Sequence, residues 1–201
     1  LVPAMVAGEF ASDPEAMAAA DGASIERLRQ SHLEALARLH PGADIVTDKR
    51  PDNFRHIGLI KRLFPEAKFI DTHRDPRDNG LSVWFAHLGP RQPYATDLAD
   101  IVHRYREYRR LMAHWKSLWS DDIFELDYDA LVADPEPHIR ALLDFCGLDW
   151  EDVCLEPHRA EGTVRTLSAW QVRQPVYKSS SGRWRNYERH VGVLLEAFPD
   201  V

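Results

Sequence analysis

The sequence predicts an α/β fold in which a parallel sheet is flanked by helices, within a single domain at 1–201. Short apolar runs alternate with longer segments of helical periodicity, and polar turns separate them. The chain has 201 residues, 44% of them hydrophobic, which is enough for one globular domain with a sizeable core. We therefore expect strands that are joined by helices in βαβ units.

The first elements follow this alternation. Residues 24–39 carry apolar side chains at three- and four-residue spacing, which predicts an amphipathic helix with Ser24 as its cap. A short apolar run at 44–47 predicts a strand, and a helical segment follows at about 53–64, where Pro65 ends it. The sequence therefore predicts the order strand, loop, helix in this first part of the chain.

The later elements repeat that order. They are a buried strand at 68–72, a polar turn at 74–78 that opens a helix, a long helix at about 96–119, a strand near 123–126 and a helix at about 128–146. After Trp150 the periodicity loosens until a final short helix. A late irregular segment of this kind is where an α/β enzyme can cover its site.

Charge and composition exclude several classes of protein. The net charge of −7 argues against a general nucleic-acid-binding protein, which needs an excess of Lys and Arg. No apolar run approaches the roughly 20 residues that cross a bilayer, so we expect a soluble protein without a membrane partner. Cys146 and Cys154 form no ligand or C-x-x-C pattern, which indicates neither a disulfide framework nor a zinc site and favours the reducing cytoplasm.

The best-marked candidate site is the turn inside FIDTHRDPRDNGLS at 69–82, where a strand end meets a helix start. Helix N-termini favour anions, and either Arg74 or Arg77 can grip a phosphate through two parallel hydrogen bonds. Ser82, eight residues after Arg74, adds a hydroxyl. The alternative is a solvated cap in which both arginines pair with neighbouring aspartates, and the residue pattern leaves both interpretations open.

HRDPRDNGLS at 73–82 resembles the 3′-phosphate-binding segment of sulfotransferases. Companion blocks in the same order are TDKRPDNF, HIGLIKRLFPEAKFI, LDYDALVADPE and TLSAWQVRQPVYKSSSGRWRNYE. They resemble bacterial sulfotransferases that often follow tetratricopeptide repeats and, distantly, tyrosylprotein sulfotransferases. The resemblance implies transfer of a sulfuryl group from 3′-phosphoadenosine 5′-phosphosulfate to a hydroxyl or amine, on a P-loop-NTPase-like parallel sheet and without a metal.

The resemblance also implies roles for individual residues. For the nucleotide these are Arg74 and Ser82 at the 3′-phosphate, Tyr128 in the nucleotide pocket, and Arg183, with Lys178 as a nearby competitor, at the adenosine bisphosphate. Lys49 would lie near the leaving phosphate and the moving sulfuryl group, and Ser168 would contact the 5′-phosphate side. Lys49 as a surface lysine and Tyr128 as a core residue remain the alternatives.

The general base is assigned by a short match. VAGEF at 6–10 is similar to the family's glycine-glutamate pair, whose carboxylate takes the proton of the acceptor, and this makes Glu9 the candidate. A surface glutamate is the alternative. His73 and His158 are bases by residue type, but the resemblance gives them no such part.

One part of the family pattern is not found. The family begins with a strand and a P-R-S-G-T-T loop that cradles the 5′-phosphate, whereas the only glycine in the first 20 residues is Gly8. Either the chain starts just after the helix that follows this loop, or an N-terminal piece is missing from the sequence. We expect the full-length protein to be a sulfotransferase, and this polypeptide, lacking its N-terminal strand and 5′-phosphate loop, to bind the donor weakly.

Two other functions are consistent with parts of the pattern. A nucleotide or small-molecule kinase would share the strand-turn-helix phosphate site, but it requires a G-x-x-x-x-G-K-[ST] motif that the sequence lacks. A non-catalytic domain of the same fold would use tryptophans as a binding surface, with Trp115, Trp119, Trp170 and Trp184 as candidates. The acceptor loops contain nothing diagnostic of sugar, peptide, lipid or small phenol.

Overall fold

The computed structural model describes residues 19–39, 41–86, 88–90, 92–159, 174 and 179–199. These residues form two compact units. The first contains the described residues up to Ala67 together with Leu111–Trp119, and the second contains Lys68–Arg110 and the described residues from Ser120 onward. The single domain at 1–201 stays a prediction.

The first unit is helical. Its elements are helix α1 at Gly22–Leu39, a 3₁₀ turn at Asn53–Arg55 and helix α2 at Ile57–Leu63. Leu28, Leu59 and Leu63 are buried between the two helices and form its core. The helix predicted at 24–39 is therefore confirmed, although Leu33 and Leu39 of its predicted apolar face are exposed.

Two local predictions for the first unit are wrong. Asp21, not Ser24, caps α1, because the Asp21 carboxylate accepts a hydrogen bond from the Ser24 backbone N–H at 2.8 Å. Residues 44–47 form no strand, and Ile45 and Val46 are exposed. A strand requires a neighbouring strand for its backbone hydrogen bonds, and within the described part of the chain nothing pairs with this run.

The second unit contains the βα units. Its regular elements are β1 at Phe69–His73, α3 at Pro76–Phe85, α4 at Leu98–Trp119, β2 at Ile123–Asp127, α5 at Tyr128–Ala133, α6 at Pro135–Cys146 and α7 at Gly192–Ala197. The last nine residues of α4 belong to the first unit. No described helix is long and apolar enough to cross a membrane.

The sheet aligns the ends of its strands. β1 and β2 pair in parallel, with Phe69 opposite Ile123 and His73 opposite Asp127. Helix α3 follows β1 and α5 follows β2, so two strand ends open into two helix starts at one edge. Ligands of open α/β sheets bind at this edge.

The helix that the sequence predicts over 128–146 is divided in two. Asp134 has an extended backbone, with φ −143° and ψ 87°, and Pro135 begins α6. Proline disfavours helical geometry in the residue before it, which is why α5 ends at Ala133. The interruption leaves α5 as a short helix that begins at the candidate residue Tyr128.

The C-terminal segment, which here means residues 179–199, packs onto α3. Leu81 and Val102 share one buried cluster with Trp184, Val191 and Leu194. A 3₁₀ helix at Arg183–His190 connects these residues to α7. The packing places residues from the end of the chain beside the turn that follows β1.

Candidate functional site

A polar cavity of about 650 Å³ lies at the carboxyl ends of the two strands. Its walls come from the end of β1 with the turn after it, one face of α3, the start of α5 and the C-terminal segment. The lining residues are Thr72, His73, Arg74, Asp78, Asn79, Leu81, Ser82, Tyr128, Ser179, Ser180, Arg183 and Asn186.

Four residues that the sequence assigns to nucleotide binding line this cavity. Arg74 follows β1, Ser82 lies on α3, Tyr128 begins α5 and Arg183 begins the C-terminal 3₁₀ helix. Asn79 and Ser82 are three positions apart on α3 and so share one face of the helix. The tertiary structure thus brings together two cations, a hydroxyl and an aromatic ring.

Arg74 is held in place on several sides. Its Nη2 donates to the backbone carbonyl of Ser180 at 2.5 Å and lies 3.5 Å from Oδ2 of Asp78. Its guanidinium carbon lies 5.2 Å from the centroid of the Tyr128 ring. Its Nε is buried and has no hydrogen-bond partner among the described residues. This nitrogen is therefore a hydrogen-bond donor available to an acceptor.

Arg77 has a different environment. Its Nε and Nη2 donate to the Asp75 carboxylate at 3.0 and 2.7 Å, and its guanidinium stacks 4.4 Å from the Trp184 ring centroid. Burial would raise the pKa of Asp75, but the hydrogen bonds and charge of Arg77 outweigh it and hold that pKa below the ordinary value. Of the two arginines in the turn, Arg74 is therefore the one that faces the cavity.

Acidic residues fasten the C-terminal segment to the cavity. Asp78 accepts hydrogen bonds from the backbone N–H groups of Gly182 at 2.6 Å and Trp184 at 2.8 Å. Asp129 accepts from the Ser181 hydroxyl and from the Asp75 backbone N–H, the latter at 2.9 Å.

Sequence reasoning missed these contacts because it considered residues 75–78 as helix N-terminal signals or as partners of Arg74 and Arg77, both of which are local roles. The backbone partners of Asp78 are more than 100 positions away and the partners of Asp129 are more than 50 positions away, so no local pattern predicts these contacts. Asn79 and Asn186 were also missed, although the position of Asn79, three residues before Ser82 on a predicted helix, was a usable signal.

Of the remaining candidates, His73 is the one that the described residues place in the lining of this cavity. Lys49 belongs to the first unit, where it is exposed in a segment without regular structure, and its role stays a prediction. Glu9, Ser168 and Lys178 lie outside the described residues. His73 lines the cavity, whereas His158 lies in a 3₁₀ turn at Pro157–Arg159.

The candidate tryptophans in the described part of the chain pack against other residues of their own units. Trp184 is buried in the second unit. In the first unit Trp115 stacks on Trp119 and donates to the Phe54 carbonyl at 2.7 Å. Trp170 lies outside the described residues. A tryptophan-lined binding surface therefore gains no support from these three side chains.

Comparison with known proteins agrees with the resemblance. A family model described as "Sulfotransferase family" matches residues 4–152. An uncharacterized protein of Aquifex aeolicus is 38% identical over 186 residues, which cover 91% of this chain and 24% of that protein. Protein-tyrosine sulfotransferase 1 of Danio rerio is 23% identical, with 76% of this chain and 45% of that protein covered.

A mycobacterial enzyme adds a third relative. Omega-hydroxy-beta-dihydromenaquinone-9 sulfotransferase of Mycobacterium bovis is 32% identical over 108 residues, which cover 50% of this chain and 28% of that protein. The chain spans between about a quarter and about half the length of these relatives. Because the family model matches well over half of the chain, the chain belongs to the sulfotransferase family.

Proposed function

We propose that the protein is an enzyme that transfers a sulfuryl group from 3′-phosphoadenosine 5′-phosphosulfate to a hydroxyl or amine. In this proposal the cavity at the strand ends holds the 3′-phosphate side of the donor. The observation that carries it is the convergence of Arg74, Ser82, Tyr128 and Arg183 on one cavity. The volume of about 650 Å³ lies within the range of roughly 300–1,000 Å³ that is usual for small-molecule sites.

The residues present fit an anionic ligand. Arg74 contributes a buried Nε that lacks an acceptor among the described residues, and Arg183 adds a second positive charge. Ser82 and Asn79 offer further hydrogen-bond donors on the same helix face. The Ser180 carbonyl and the Tyr128 ring hold Arg74 in position, so that little side-chain entropy is lost on binding.

The bound donor supplies the activated sulfuryl group, and the chain supplies binding and orientation. Sulfuryl transfer, like phosphoryl transfer, depends mainly on alignment and on stabilisation of charge. Within the proposal, Lys49 and Ser168 act at the reacting end of the donor, and Glu9 takes the proton of the acceptor. Arg183 helps to hold the adenosine bisphosphate, and Lys178 is the alternative candidate for that role.

The direct test is the binding of adenosine 3′,5′-bisphosphate by calorimetry, with adenosine 5′-monophosphate as the comparison ligand. We expect the 201-residue chain to bind the bisphosphate in preference to the monophosphate, because only the bisphosphate carries a 3′-phosphate. Arg74→Ala should lower the affinity for the bisphosphate by about tenfold or more, because a charge-assisted hydrogen bond contributes about 1.5–3 kcal/mol.

Arg110→Ala is the matched control, because Arg110 is an exposed arginine of the same unit that pairs only with Glu107 in the contacts described. Equal binding by wild type and Arg74→Ala, or no preference for the 3′-phosphate, contradicts the proposed site. Turnover of labelled sulfate, lost in Lys49→Ala, distinguishes an enzyme from a non-catalytic domain.

A further inference from the structure

We propose that Asp78 is a positioning residue that assembles the cavity by docking the C-terminal segment on α3. The carboxylate fixes Gly182 and Trp184, which flank Arg183, and it also lies against Arg74. The identity of the ligand in this inference rests on the proposed function. The docking of the C-terminal segment on α3 does not depend on the proposed function.

Asp78 differs from the exposed acidic residues of the chain in its burial and in its hydrogen bonds. Its side chain is only 1% exposed although the residue borders the cavity. Each carboxylate oxygen accepts one backbone N–H: Oδ2 that of Gly182 at 2.6 Å and Oδ1 that of Trp184 at 2.8 Å. Both bonds join residues more than 100 positions apart. Arg183 is therefore held from both sides by a single carboxylate.

Because Asp78 is negatively charged, we infer that its side chain does not contact the anionic ligand. A carboxylate beside an anion site repels the anion, so charge alone would favour a neutral residue at this position. The two charge-assisted hydrogen bonds to backbone N–H groups explain why a carboxylate lies in the cavity wall. Arg74, at 3.5 Å, partly neutralises the carboxylate.

Two neighbouring acids stabilise the same segment from outside the cavity wall. Asp129 accepts from the Ser181 hydroxyl, and Asp75 accepts from the indole Nε1 of Trp184 at 3.2 Å. Neither lines the cavity. Asp78 is thus the acid that connects the docked segment, Arg74 and the cavity.

A charge effect and a positioning role predict opposite changes in ligand affinity for the Asp78→Asn variant. Asparagine has nearly the same shape but only one acceptor oxygen, so its amide nitrogen would face a backbone N–H donor. If charge dominated, the variant would bind adenosine 3′,5′-bisphosphate more tightly. We expect binding at least fivefold weaker, with a smaller loss for adenosine 5′-monophosphate, because the 3′-phosphate-dependent part of the affinity is affected.

A ligand-free measurement separates this inference from the proposed function. Hydrogen exchange of the amides at 179–186 should accelerate about tenfold or more in Asp78→Asn, because both anchoring bonds are disturbed. Asp100→Asn is the control, since Asp100 is an exposed acid of the same unit. Unchanged exchange in Asp78→Asn overturns the docking role, whether or not any nucleotide binds.

Coupling to Arg183 tests the route by which Asp78 acts. The loss of affinity in Asp78→Asn combined with Arg183→Ala should be smaller than the product of the two single losses. Independent, multiplicative losses contradict positioning through Arg183. If Asp78→Asn fails to fold, Gly182→Ala takes its place, because Gly182 has a left-handed φ of +72° that alanine adopts only with strain. Unchanged bisphosphate affinity in a folded Gly182→Ala chain then overturns the inference.

Discussion

Arg74 and Arg77 stand three positions apart in one turn, yet their environments differ. Asp75 offers its carboxylate to the Nε and Nη2 of Arg77, and the Trp184 ring covers the same guanidinium. Arg74 instead borders the cavity with an Nε that lacks an acceptor among the described residues. At the scale of the residue, the neighbours of a side chain decide whether its charge serves packing or binding.

Gly80 shows how tightly α3 and α7 pack. A Cβ at this position would lie 2.8 Å from Cδ2 of Leu194, whose side chain is fully buried. We expect Gly80→Ala to lower the free energy of unfolding by about 1 kcal/mol, because overpacking at ~1–3 kcal/mol exceeds the gain of about 1 kcal/mol in helix propensity. Chemical denaturation measures the difference.

Gly192→Ala is the matched control for this prediction. Gly192 begins α7, and nothing lies within 4 Å of an added Cβ, so we expect no loss of stability. A Gly80→Ala chain as stable as the wild type would show that Leu194 relaxes without cost.

At the scale of the element, the start of α5 positions part of the site. The Asp127 carboxylate accepts the backbone N–H groups of Asp129 at 2.8 Å and Ala130 at 3.1 Å. This cap fixes the direction of the chain as β2 ends, and so orients Tyr128 towards the cavity. A short helix depends strongly on such a cap because it has few internal hydrogen bonds.

We expect Asp127→Ala to lower the free energy of unfolding by about 1 kcal/mol, the usual value of a capping hydrogen bond. Asp134→Ala is the comparison, since Asp134 occupies the N-cap of α6 but makes no side-chain capping bond. Both aspartates precede a helix and carry the same charge, so the difference in urea denaturation isolates the hydrogen bond. Equal losses in the two variants would assign the effect to charge instead.

At the scale of the whole molecule, buried titratable groups make stability depend on pH. His32 is buried in the first unit, where its ring packs 5.4 Å from Phe64, and burial lowers its pKa below the ordinary value of 6.5. Burial lowers the pKa of His56 as well. The lowered pKa means that the folded state favours neutral imidazole, so this contribution to stability is complete above pH 6.5 and is lost as the pH falls through the folded pKa.

We therefore expect the free energy of unfolding to decrease from about pH 7.5 to about pH 5.5, within the range where unperturbed histidine titrates. His32→Gln should make this decrease smaller without abolishing it, because His56 remains. His103→Gln serves as the control, since His103 is exposed on α4. Denaturation curves at several pH values measure the slope, and an identical slope in wild type and His32→Gln contradicts the prediction.

Much of the fold follows from local sequence. Apolar periodicity predicts α1, α2 and α4 to within a few residues, N-terminal signals at residues 75–78 predict that a helix follows β1, and the two apolar runs before polar turns predict β1 and β2. The candidate binding residues Arg74, Ser82, Tyr128 and Arg183 were identified by ordered blocks of similarity, and the cavity that joins them could not be identified in that way. Residues 44–47 failed as a strand because pairing is a property of two segments, not of one.

The sequence by itself determined where most of the described helices and both described strands form, which family the motifs resemble, and that any bound phosphate requires local cations in an acidic chain. Those properties depend on neighbours a few positions away and on total charge. Only the tertiary structure decided that Arg74, Ser82, Tyr128 and Arg183 line one cavity and that Asp78 fastens the segment that carries Arg183. These outcomes depend on hydrogen bonds between residues more than 100 positions apart, which no local pattern encodes.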